Sequence, residues 1–273
     1  MKDNFIDKQV QYWDTLARSV PDSVALNHWI DENNNPLDAE LFYEIAHYLC
    51  TEFLQNKASG NILEIGCGNG LILNNLKCLL RDNNAWHLFG ADISPEMLKR
   101  NTDKKLTLYQ CDASRIPCCD HLFDLVYMHS VVQYFDNESY LDAVLKECLR
   151  IVRDGGGICI MDVPCVWYKE LMQNQGLKSQ LKRKAAEYAR RRIHFVYNIY
   201  QKLKKEMRFE TVCGVQIHAP SFNGFWADTD YFYKFNKYFK KVSVEVQPFL
   251  HKPVRYRKFR FNILMKQAKT PCL

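Results

Sequence analysis

Between Asn61 and Val163 short apolar runs alternate with amphipathic stretches, the sequence form of successive βαβ units and a parallel sheet. The runs predict strands at about 61–65, 87–92, 106–111, 123–128 and 157–163, with helices near 69–82, 95–104 and 137–153. The last helix runs into Arg153-Asp154-Gly155-Gly156-Gly157, where glycines suit a helix stop and a sharp return. Upstream, residues 1–57 read as helical, broken at Pro21 and at the Asn33-Asn34-Asn35-Pro36 turn. Leu41, Ile45, Tyr48, Leu49 and Phe53 fall at helical spacing, so one face of that segment packs inward. Downstream, a helix is predicted from Thr229, followed by strand-like runs at Val242–Phe249 and Phe259–Met265. This divides the chain into a helical cap (1–57), a core (58–165), a helical insert (166–228) and a C-terminal helix with two strands completing the core (229–273).

With 273 residues, 47% hydrophobic, the chain is long enough for one α/β domain with elaborations. The net charge of +6 is unevenly spread: residues 168–208 hold twelve Lys and Arg against three Glu, and the remainder is net acidic. That segment, predicted helical, reads as solvated surface, as a lid contacting an anionic substrate, or as a site for RNA or an anionic membrane. Eleven cysteines, an odd number with no CxxC spacing, imply free thiols and a reducing, cytoplasmic home. Neither a signal-peptide pattern nor a long apolar run occurs, so a soluble protein without stable membrane insertion is expected.

The strongest chemical signal is Leu63-Glu64-Ile65-Gly66-Cys67-Gly68-Asn69-Gly70, a strand, a glycine turn and a helix start in succession. Glycines let backbone approach a ligand closely. A dinucleotide-binding turn would be GxGxxG and would hold a pyrophosphate at the helix N-terminus. Here the spacing is GxGxG, and Glu64 stands two residues before the first glycine, an arrangement suited to a cationic ligand. Asp92 ends the second predicted strand, where a carboxylate can accept both hydroxyls of a ribose. Ser94-Pro95 reads as an N-cap and first helical turn that fixes its loop.

In order and spacing, ILEIGCGNG, GADISPEML, CDASRIP and FDLVYMHSVVQYF resemble the successive cofactor motifs of class I methyltransferases that use S-adenosyl-L-methionine (SAM), over residues 60–165. The resemblance implies a Rossmann-like α/β fold, a seven-stranded sheet in the order 3-2-1-4-5-7-6 with strand 7 antiparallel. It implies that Glu64, Gly66, Cys67 and Gly68 surround the methionine part of SAM and Asp92 holds the ribose. Ile93 and Met97 would flank the adenine, Cys111, Asp112 and Ala113 would meet its edge, and Met128 and His129 would lie under the sulfonium. Tyr12-Trp13-Asp14 resembles an element that small-molecule methyltransferases place over the pocket, with Tyr12 taken as its contact; packing of an amphipathic helix is the alternative.

Methyl transfer needs alignment in a dry pocket and, for an alcohol acceptor, a base. His129 is the leading candidate, since imidazole titrates near neutrality; the alternative is that it only lines the cofactor site. His194 and Asp162 follow, the first otherwise a polar residue of a basic helix, the second otherwise a strand cap. Gln133, Tyr134, Trp167, Arg192, Tyr197 and Trp226 are the candidate acceptor contacts. The expected reaction is methylation of O or N on a small anionic or polyhydroxylated acceptor, leaving S-adenosyl-L-homocysteine (SAH). No metal and no nucleic-acid partner are expected, and the protein would be a monomer or homodimer. Two alternatives stand beside this: an RNA methyltransferase gripping phosphates with 168–208, and a non-catalytic partner subunit of the same fold.

Overall fold

The computed structural model describes residues 5–19, 39–80, 85–101, 103–164, 210–212, 215–217, 229–246 and 260–269. Trp167, Arg192, His194, Tyr197, Trp226 and the basic stretch 168–208 lie outside the described residues.

Helices α1 (Phe5–Ser19) and α2 (Ala39–Leu49) precede a sheet core, α2 running on into a π-helical turn at Cys50–Leu54. The core then alternates β1 (Gly60–Ile65), α3 (Leu71–Leu79), β2 (Trp86–Asp92), α4 (Pro95–Lys99), β3 (Thr107–Gln110), β4 (Phe123–His129), a 3₁₀ turn (Val132–Tyr134), α5 (Glu138–Ile151) and β5 (Val152–Pro164). A hairpin of β6 (Glu210–Val212) and β7 (Val215–Ile217) follows the stretch 168–208 that was read as helical; its Thr, Val and Ile favour extended backbone. After a 3₁₀ helix at Thr229–Lys237, β8 (Phe239–Val246) and β9 (Arg260–Ala268) finish the sheet.

The sheet order is β3-β2-β1-β4-β5-β9-β8, and β9 runs antiparallel to both of its neighbours. This is the expected Rossmann-like order, with β8 and β9 as strands 6 and 7. Both faces are covered, which is why the central strands read as unbroken apolar runs. Leu63, Val126, Met128, Ile158 and Ile160 pack toward α5 and the Thr229–Lys237 helix. Ile62, Leu125, Tyr127, Cys159 and Met161 pack toward α2 and α3.

Helix ends depart from the periodicity for local reasons. α3 starts after Gly70, whose left-handed backbone serves as N-cap. α4 stops at Lys99, short of the predicted 104, because Asn101 Oδ1 accepts from Asp103 N and turns the chain outward. α5 begins at the Asn137 cap, whose side chain accepts from Tyr140 N. Among the described residues, all eight cysteines are free, no group of His, Cys, Asp and Glu is placed to hold a metal ion, and no helix is long and apolar enough to cross a membrane.

Candidate active site

The C-terminal ends of β1, β2 and β4 open into a cavity lined by Glu64, Gly66, Cys67, Gly68, Asp92, Ile93, Met97, Cys111, Ala113, His129 and Tyr134 among the residues singled out from sequence. Crossover topology dictates this location, since connections leaving the strand ends diverge there. The glycine turn is drawn against β2: Gly66 N and Cys67 N both donate to Ala91 O, at 2.7 and 3.1 Å. Gly66 has φ +71°, and a Cβ there would stand 2.4 Å from Val131 Cγ2, so no other residue fits. Gly68 has φ +53° and opens onto space, leaving the turn's rim clear for a ligand.

Two carboxylates sit in this wall. Glu64, from β1, is 3% exposed and accepts from Tyr127 Oη of β4 at 2.9 Å. Burial holds its carboxyl well above the ordinary carboxylate range; the Tyr127 hydrogen bond opposes that shift. Asp92, at the end of β2, accepts from Gly68 N at 2.7 Å and from Ser94 N at 2.9 Å. Its carboxyl is also raised by burial, with the two amides pulling the other way. Burial also lifts the Cys111 thiol, to about 12, and the Cys67 thiol well up, so both are neutral sulfurs beside the cavity.

Among the described lining residues there is no Lys or Arg to balance the two acids. The Gly68 amide, which a pyrophosphate site would aim at its ligand, is spent on Asp92. The chemistry of this donor set therefore fits a cationic nucleoside such as SAM and disfavours a dinucleotide.

The cover comes from α1. Phe5, Gln9 and Trp13, one helical turn apart, line the cavity, and the Trp13 ring meets Tyr134 edge-on at 5.2 Å. Tyr12 is not among the lining residues; its ring meets that of Trp13 edge-on at 5.2 Å. Met128 is fully buried on the α5 side of the sheet and is not among the lining residues. Asp112 lies behind the lining, its Oδ1 accepting from Ser114 N, Ser114 Oγ and Tyr140 Oη, each at 2.7 Å. Gln133 is buried and donates to Ser130 O at 3.2 Å.

At the ends of β4 and β5 two residues take left-handed backbone, Ser130 (φ +57°) and Asp162 (φ +62°). Such strain in non-glycine residues persists only where the surroundings enforce it. Here Ser130 N donates to Met161 O, Ser130 Oγ donates to Asp162 Oδ2, and Asp162 N donates to Asn262 Oδ1 at 3.2 Å. Ser130 lines the cavity beside His129, while Asp162 is buried behind it. Sequence reasoning missed Trp13, Ser130, Phe42, Phe135 and Tyr140 as lining residues. Helical phase was an available signal for Trp13; the others depend on tertiary placement.

Residues 63–160 match the family model described as a methyltransferase domain. Over 132 residues the chain is 29% identical to the tRNA (carboxymethyluridine(34)-5-O)-methyltransferase of Macaca fascicularis, a stretch covering 48% of this chain and 18% of that protein. It is 34% identical over 83 residues to the ubiquinone/menaquinone biosynthesis C-methyltransferase of Cupriavidus metallidurans, covering 28% of this chain and 33% of that one. The chain thus spans a minor share of the curated relatives it matches. Among solved structures, geranyl diphosphate C-methyltransferase from Streptomyces coelicolor, in complex with SAH, is similar over 97% of this chain and 99% of that one, with a TM-score of 0.57 and 11% identity. At that identity the likeness is one of fold.

Proposed function

We propose that this protein, whose residues 63–160 match a methyltransferase domain, is a class I SAM-dependent enzyme that methylates an O or N of a small, polyhydroxylated or anionic acceptor. The observation that carries this reading is the aromatic cover. Phe5, Gln9 and Trp13 of α1 line the cavity and Trp13 meets Tyr134 edge-on, a partly aromatic lining that suits a small acceptor such as a sugar or natural-product intermediate.

In this reading Glu64 and Asp92 hold the cationic nucleoside, Gly66 and Gly68 give it room, and Ile93 and Met97 flank its base. When bound, SAM supplies an electrophilic methyl group on a positively charged sulfur. The chain's own residues supply orientation and dryness: the α1 cover excludes water, so charges in the wall act through a low dielectric. His129, at the cavity wall, takes the proton of an alcohol acceptor. The sequence candidate for an anionic group on the acceptor is Arg192, in the basic stretch 168–208.

A second reading has its own support. The similarity to a tRNA methyltransferase, together with the net positive charge of 168–208, favours an RNA acceptor. Methyl-labelled SAM incubated with purified protein separates the two. Label in sugars, sugar phosphates or related small acceptors, with none in total tRNA, supports the proposal; label in tRNA refutes its acceptor clause. Protein that takes up NAD and neither SAM nor SAH refutes it entirely.

A further inference from the structure

Asp14, 8% exposed on α1, reaches a loop distant in the chain: it accepts from Ser94 Oγ at 2.5 Å and from Glu96 N at 3.3 Å. Ser94 is fully buried and does three things at once. Its hydroxyl caps α4 by accepting from Met97 N at 3.1 Å, donates to Asp14, and its amide donates to Asp92 Oδ1 at 2.9 Å. The other Asp92 oxygen is held by Gly68 N in the glycine turn. A continuous line of hydrogen bonds therefore joins the covering helix, the β2 loop and the glycine turn. One turn further along α1, Ala17 O accepts from Arg100 Nη1 at 2.7 Å, a second anchor to the end of α4. Trp13, the neighbour of Asp14, is the ring that closes the cavity against Tyr134.

We propose that Asp14 is a positioning residue for the cofactor: it fastens α1 to Ser94, so that the aromatic cover and the Asp92 carboxylate are set as one unit. This rests on the reading that Asp92 holds the ribose of SAM. Asp14 touches no ligand itself. Its effect passes through Ser94, which cannot both follow α1 outward and keep its amide on Asp92. Ligand binding and cover docking are then coupled, each stabilising the other.

The test titrates SAH and adenosine, which share the ribose, into the full chain by calorimetry, and follows amide hydrogen exchange of α1 with and without SAH. Four proteins are compared: parental, Asp14→Ala, Asp14→Asn and Arg18→Ala. Asp14→Asn keeps an acceptor for Ser94 and removes the charge. Arg18→Ala removes the exposed ion pairs to Asp14 and Glu96, contacts worth little in water. Asp14→Ala is expected to weaken both ligands by up to roughly tenfold, the upper end for one lost hydrogen bond of the kind a neutral acceptor also makes, and to abolish SAH protection of α1. Asp14→Asn and Arg18→Ala are expected to stay near parental in both readouts. Unchanged SAH affinity in Asp14→Ala, or equal impairment of Asp14→Asn, overturns the proposal while leaving the cofactor reading intact. Parental protein that binds no SAH overturns both.

Discussion

Replacing Tyr127 by Phe isolates the buried carboxylate of the candidate site. Glu64 and Tyr127 are 3% and 0% exposed, and the hydroxyl donates to Glu64 Oε2 at 2.9 Å. A hydrogen bond to a charged group contributes about 1.5–3 kcal/mol. Since the Tyr127 hydroxyl favours the charged carboxylate, its loss should lift the Glu64 carboxyl further. The sign follows from burial, which already holds the folded-state pKa above the unfolded one. The stability that Glu64 contributes is full below the unfolded pKa and is lost as pH rises through the raised folded value. SAH lacks the sulfonium of SAM but keeps its cationic ammonium, which prefers the carboxylate, so SAH affinity should climb through the same window in which ligand-free stability falls. Asp92, raised in the same direction, adds to both slopes. Tyr127→Phe should move the Glu64 component of each curve upward, and SAH binding near neutral pH should then release more protons. Calorimetry across pH in buffers of different ionisation heat, paired with thermal denaturation, reads all three quantities. If the parental and Tyr127→Phe affinity curves share one midpoint, Glu64 is not the group that meets the cation and the electrostatic reasoning fails.

Gly66→Ala should lower the melting temperature, since a left-handed backbone costs a non-glycine residue about 1–2 kcal/mol and its Cβ would meet Val131 at 2.4 Å. Gly68→Ala carries only the backbone cost, with nothing within 4 Å of the new Cβ, so its stability loss should be smaller than its loss in an SAH titration. Arg150 donates to Glu147, Asp120 and the carbonyls of Ile116 and Cys118. Arg150→Ala should therefore cost about 1–3 kcal/mol in denaturant unfolding and speed amide exchange across residues 115–121. Asp162→Asn keeps an acceptor for Ser130 and should unfold near the parental denaturant midpoint, whereas Asp162→Ala should lower it.

Much of the site was legible because local chemistry determines it. A glycine turn straight after an apolar strand, Ser94-Pro95 opening a helix and Asn137 opening another are consequences of a few neighbouring residues. Glu64 and Asp92 follow from the same segments, since each lies at or near a strand end that alternation alone predicts. Elements governed by competing local bonds were read less well: α4 ends early at Lys99, and the short hairpin at 210–217 was not foreseen.

What the chain determines by itself is therefore the alternation of strands and helices and the acidic, glycine-lined turn, because these depend on residues a few positions apart. The tertiary structure decided which side chains meet across long separations. It set Asp14 on Ser94, Tyr127 on Glu64 and Ser130 on Asp162, put Trp13 and not Tyr12 in the cavity lining, and buried Met128 on the α5 face of the sheet. Those outcomes depend on how helices dock on a twisted sheet, and sequence periodicity gives the phase of a side chain but not the partner it will find.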